Sequence, residues 1–208
     1  MSAGEPSLMD LAQQERSDLA EFLATLTPED WRTESLCAGW TVKDVVAHMI
    51  SYDTLGIAGL LRRFAKGRVV RANEVGVAEY TTMSTDELLA FLNQHLRPSG
   101  LTAGFGGMIG LVDGTIHHQD IRRALGRPRV VPVERLRHIL PLIPGNPRLG
   151  AGRRIRGLQL RANDIDWQHG DGPDVTGTGE ALMLAMSGRR QAAEELTGPG
   201  VGTLLSRL

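Results

Sequence analysis

Asp113-Gly114-Thr115-Ile116-His117-His118-Gln119-Asp120-Ile121-Arg122-Arg123-Ala124-Leu125-Gly126 is the stretch that decides how this chain is read. At about 100° per residue, Asp113, His117 and Asp120 recur at spacings of four and three and share one helix face. Ile109, Ile116 and Ala124 fall on that face too, so it is predicted to point into a core. Ionisable groups on a core-facing stripe are costly unless they pair or bind a metal. A carboxylate and an imidazole four residues apart suit one cation inside a helical bundle. They equally suit a plain helical ion pair, and spacing alone does not separate the two. Asp120 is open in the same way: it ligates, orients His117, or bonds Arg122 or Arg123. His118 lies about 100° further round and is predicted to face solvent.

The helix carrying this face is expected over residues 101–125. Gly104, Gly106, Gly107, Gly110 and Gly114 each cost roughly 1 kcal/mol against alanine in a helix interior. Helix is still preferred, because Phe105, Ile109, Val112, Ile116 and Ala124 line one side, and close helix packing accounts for the glycines. Gly126-Arg127-Pro128 stops it.

Three more helices precede it. Leu8, Leu11, Ala12, Leu19, Phe22, Leu23 and Leu26 form one stripe. Thr27-Pro28-Glu29-Asp30-Trp31 reads as a capped helical turn with proline first. Thr41-Val42-Lys43-Asp44 opens a long helix as a capping box with Asp in place of Glu. It is predicted to end near Ala65, at Lys66-Gly67-Arg68, and to be followed by a loop over 68–83. Ser84-Thr85-Asp86-Glu87 opens a further helix to about Leu96, closed by Pro98-Ser99-Gly100. His48, at the edge of the second helix's apolar stripe, is either a hydrogen-bonded core histidine or a ligand opposite Asp113 and His117. Three protein ligands would leave a coordination position open. Imidazole with carboxylate suits zinc, nickel or iron(II) alike. His95 is predicted to turn inward as a core residue, and Trp31 and Trp40 to pack around the Gly39 turn.

Beyond residue 130 the pattern changes. Ile155, Leu158 and Leu160 alternate with Arg154, Arg156 and Arg161, which predicts a strand over 153–163. Residues 164–173 are turn-rich, and 180–186 and 191–196 read as helix. The expected architecture is mainly α: a four-helix bundle over 1–130, then a small α+β appendage over 131–208.

Composition narrows the function. A chain of 208 residues can bury a core without staples. A formal charge of -1 supplies no field for nucleic acid or an anionic membrane. Cys37 is the single cysteine, so no intramolecular disulfide forms, which fits a reducing compartment. Nothing near it in sequence activates its thiol, and it is expected to be inert. Met1 to Asp10 is acidic and polar, with no leader pattern, so a cytoplasmic location is expected. Gly104-Phe105-Gly106-Gly107-Met108-Ile109-Gly110 fails as a dinucleotide loop, because position 109 is not glycine and no strand precedes it.

Trp31-Arg32-Thr33 followed by Cys37-Ala38-Gly39-Trp40-Thr41-Val42-Lys43-Asp44-Val45-Val46-Ala47-His48 resembles the N-terminal signature of the mycothiol-dependent maleylpyruvate isomerase family, within the wider DinB-like metalloproteins. The stretch 113–126 resembles the second signature of that family, with Asp113 where the isomerase pattern has glutamate. Asp166-Trp167 and Leu184-Ala185-Met186-Ser187-Gly188-Arg189-Arg190 resemble its small C-terminal domain. The resemblance implies a DinB-like four-helix bundle and a divalent metal, zinc by custom, on His48, Asp113 and His117. It also implies mycothiol as a thiol cofactor and a small electrophilic substrate, with isomerase or thiol-transferase chemistry. Arg189 is the nearest match to a catalytic arginine in the C-terminal domain. The alternative is a non-catalytic metal-binding bundle whose appendage takes a ligand or partner.

Overall fold

The computed structural model describes residues 5–208; Met1 to Gly4, where the absence of a leader was partly read, lie outside the described residues. The chain divides into two compact units, 1–129 and 130–208.

The first unit contains α1 (Leu8–Leu23), α2 (Pro28–Arg32), α3 (Val42–Ile50), α4 (Ile57–Tyr80), α5 (Thr85–Gln94) and α6 (Met108–Ala124). Four of the starts are local chemistry. Ser7, Thr27, Thr41 and Ser84 each accept the backbone N–H three residues on, and each is answered by the Asp or Glu side chain at that position. α1 packs on α5 and α6, and α3 packs on the same two helices, which closes a four-helix bundle. Leu19, Leu23, Val45, Val46, Ile50, Leu88, Leu92 and Ile121 fill its interior.

Two predicted helices need correction. The helix expected over 41–65 breaks at 51–56. Asp53 is drawn inward there: Arg16 grips both its oxygens at 2.8 and 3.0 Å, and Thr102 donates to it at 2.6 Å. The Ser51 carbonyl freed by the break accepts from Arg63 at 2.8 Å. Residues 68–80, expected as loop, are helical. Yet Arg63 and Glu79 form an ion pair. Sixteen residues of straight helix would hold them about 24 Å apart, so α4 is not straight between them.

The second correction concerns 101–107. The fourth bundle helix begins at Met108, because Gly104, Phe105 and Gly106 leave helical geometry and Gly107 sits at φ +96°. Gly107 is required twice over: a Cβ there would stand 2.6 Å from the Met9 Cα. Close packing does explain Gly110, where a Cβ would reach 3.0 Å from Pro98 and from the Thr102 carbonyl.

The second unit holds α7 (Val133–Ile139), α8 (Ala151–Arg154), β1 (Gln159–Ala162), β2 (Gln168–His169), β3 (Asp174–Gly177), α9 (Gly179–Met186), α10 (Arg190–Ala193) and α11 (Val201–Leu205). The sheet order is β2-β1-β3: Leu160 pairs with His169 antiparallel and with Val175 parallel. The strand expected over 153–163 is only its last third. Ile155 and Leu158 are buried, but they flank a turn with Gly157 at φ +67°. α9 is buried along Ala181 to Met186 and serves as this unit's core. Among the described residues no helix is long and apolar enough to cross a membrane.

Candidate metal centre

α3 and α6 pack against each other, and this brings His48 to the face that carries Asp113 and His117. One ligand-type atom from each lies within 4.8 Å of the others. The Asp113 Oδ1 stands 3.7 Å from His48 Nε2 and 3.5 Å from His117 Nε2. Those separations are long for hydrogen bonds. They match the edge of a coordination tetrahedron, about 3.4 Å when each ligand sits about 2.1 Å from the ion. The donor set, two imidazole nitrogens and a carboxylate oxygen, therefore fits a divalent cation in both chemistry and spacing.

His48 and His117 are buried, whereas the Asp113 side chain keeps 36% exposure, so the group opens toward solvent on the carboxylate side. Burial works against charge on Asp113, but the His117 cation and bonding to His117 and His48 overcome it and hold the carboxyl well below its usual range. Burial likewise opposes the His117 imidazolium, and the Asp113 carboxylate prevails, raising it well above the usual histidine range. The rings of Trp40 and Tyr52 flank His48 at 5.0 and 6.0 Å, and His117 meets it edge-on at 4.9 Å. Among the described residues His48 Nδ1 has no hydrogen-bond partner, and it is buried.

Other sequence-stretch expectations are corrected by tertiary contacts. His118, expected at the surface, is fully buried. Its Nδ1–H donates to Glu15 at 2.8 Å and its Nε2 accepts from Arg122 Nε–H at 2.9 Å, which fixes a neutral imidazole. Glu15 is also held by Arg129. Burial, assisted by the Arg129 and Arg122 cations against the pull of Glu15, brings His118 down to about 4. The Cys37 sulfur lies 3.1 Å from Asp120 Oδ2 and 3.4 Å from His117 Nδ1, contacts that leave its expected inertness untouched. Its position next to the site came from the 33–41 loop meeting α6, a contact no sequence spacing encodes. Asp120 bonds His117 Nδ1 at 3.0 Å, one of the roles left open for it. His95 is half-buried, stacked on Phe91 at 4.1 Å with Nδ1 bonded to the Phe91 carbonyl. Arg189 belongs to the second unit, at the N-cap of α10, where its Nη1 donates to the Ser187 carbonyl at 2.7 Å.

Residues 12–98 match the family model of the mycothiol maleylpyruvate isomerase N-terminal domain, a segment that contains Cys37 and His48 and ends before Asp113. Among solved structures, that of the mycothiol-dependent maleylpyruvate isomerase aligns with a TM-score of 0.57 at 14% identity, over 92% of this chain and 91% of the other. A histidine-to-alanine mutant of the mycothiol-dependent maleylpyruvate isomerase aligns with the same score and coverage at 15% identity. No curated protein sequence matches significantly. The fold resemblance thus spans both units, and the match to the mycothiol maleylpyruvate isomerase N-terminal domain model covers residues 12–98.

Proposed function

We propose that this chain is a divalent-metal enzyme using mycothiol, acting on a small electrophile as an isomerase or thiol transferase in the cytoplasm. His48, Asp113 and His117 are the ligands, zinc the first metal to test, and Arg189 the catalytic candidate of the second unit. The observation that carries the reading is the spacing of the three donors, two carboxylate–imidazole separations of 3.5 and 3.7 Å at the face of a bundle. The family match of residues 12–98 supports the thiol.

A divalent cation supplies Lewis acidity, lowering the pKa of a thiol and polarising a carbonyl. The chain's own part is to place and shelter that chemistry. Three ligands instead of four leave room for an exchangeable one, and the half-exposed Asp113 lies on the side open to solvent. Trp40 and Tyr52 wall the His48 ring. Arg189 offers a permanently charged fork suited to a carboxylate.

The test is metal analysis of the purified chain, followed by mycothiol titration and a maleylpyruvate turnover assay. One equivalent of metal, a thiol-dependent spectral change on cobalt substitution, and turnover only with thiol are expected. H117A should lose the metal, while R189A should keep it and lose turnover. Metal bound with no response to thiol would replace the enzyme reading by that of a non-catalytic metal protein. Full metal retention in H117A would reject the ligand set.

A further inference from the structure

We infer that Asp120 and Cys37 are positioning residues of the metal centre: Asp120 holds His117 with Nε2 toward the cation, and the Cys37 thiol holds Asp120. This rests on the ligand set proposed above.

Asp120 is completely buried, and a buried carboxylate must be paired. Its Oδ2 accepts from His117 Nδ1–H at 3.0 Å and from the Cys37 thiol at 3.1 Å. With Nδ1 carrying its proton toward Asp120, the lone pair of Nε2 faces Asp113 and the candidate cation site. A carboxylate on the far nitrogen of a ligating histidine sets its tautomer and ring angle and increases the electron density at the near nitrogen. Asp120 comes from one turn further along α6, so the helix itself delivers the pair.

The thiol arrives from a loop stitched to the same residue. Cys37 N–H donates to Ser35 Oγ at 3.1 Å, Ser35 Oγ–H donates to the Trp40 carbonyl at 2.9 Å, and Leu36 N–H donates to the Asp120 carbonyl at 3.4 Å. Asp120 is therefore tied to this loop through both its backbone and its carboxylate.

Two other uses of the trio fit less well. Cys37, His117 and Asp120 also have donor atoms within 4.8 Å of one another. A cation there would take His117 Nδ1, and filling both sites at once would strip the imidazole of both its protons. A cysteine–histidine nucleophile would need the thiol proton to pass to His117. The sulfur is nearer the carboxylate, at 3.1 Å against 3.4 Å, so the thiol's hydrogen bond runs to Asp120 and not to His117.

The experiment is zinc competition against a chromogenic chelator with the full chain and its D120N, D120A, C37A, C37S and H48A variants. It is paired with long-range 1H–15N spectra of the zinc-loaded protein. D120N and D120A should weaken zinc binding by about 10- to 100-fold, while C37A costs a few-fold and C37S, which keeps a donor, restores most of it. The spectra should show His117 protonated on Nδ1 and metallated on Nε2. Circular dichroism of each apo variant separates affinity from folding, and D120N, being isosteric, carries the test if D120A does not fold. Zinc affinity within about twofold of wild type in both Asp120 variants, or metal on Nδ1, would overturn the inference. H48A distinguishes the two levels. If H48A loses zinc and D120N does not, only the positioning role falls. If H48A keeps zinc, or the wild-type chain takes none, the ligand set falls and this inference with it.

Discussion

Acid should attack this fold first at His118. The imidazole is fully buried and both its nitrogens are committed, one as donor to Glu15 and one as acceptor from Arg122. Protonation would set an N–H against the Arg122 N–H. The folded value of about 4 lies below the ordinary histidine value of 6.5. The group is neutral in the fold, so its stabilisation is complete above pH 6.5, falls as pH drops, and is gone below about 4. At ~1.4 kcal/mol per pH unit, the loss over that window is roughly 3 kcal/mol. The perturbation is His118→Gln, whose amide donates to Glu15 and accepts from Arg122 but does not titrate. Urea unfolding followed by circular dichroism, with a chelator present, gives stability for both proteins across the window. The wild-type advantage over the variant should shrink by roughly 3 kcal/mol toward the acid end. Taking the difference cancels His117, whose raised value contributes with opposite sign in both proteins. A difference flat to within about 1 kcal/mol, or one that grows in acid, would refute the neutral buried imidazole.

Two further stability predictions follow from the same unit. Arg16→Ala leaves the Asp53 carboxylate fully buried without its bidentate partner and should cost about 3–5 kcal/mol in urea unfolding, whereas Arg16→Met with Asp53→Leu should cost less than the single change. Gly107→Ala places a Cβ at φ +96° against the Met9 backbone and should cost about 2 kcal/mol or more, read as a lowered melting temperature.

The legible parts of the molecule share a short reach along the chain. Each capping box spans three residues, and the Asp113–His117–Asp120 face spans two helical turns. Their formation depends on dihedral preference and helical period, and both are present in the sequence before any packing occurs. The mainly helical class followed for the same reason. The family signature around Cys37 to His48 pointed His48 toward Asp113 and His117, and the packing of α3 on α6 brings the three together.

Contacts between distant segments decided the rest. The break after Ile50 exists because Arg16 and Thr102, far from it in sequence, draw Asp53 inward. The helical state of 71–80 goes with Arg63 reaching both Ser51 and Glu79. The glycines before Met108 turn left-handed where α1 passes too close for a Cβ. His118 was assigned to solvent because a helical wheel has no knowledge of Glu15, and the meeting of Cys37 with Asp120 was invisible because eighty-three residues separate them. Local periodicity thus settled where the capped helices begin and that Asp113, His117 and Asp120 share one side of α6. Burial and pairing across the bundle settled where helices stop, which histidine is neutral and which side chains Cys37 meets, because those energies arise only once remote surfaces meet.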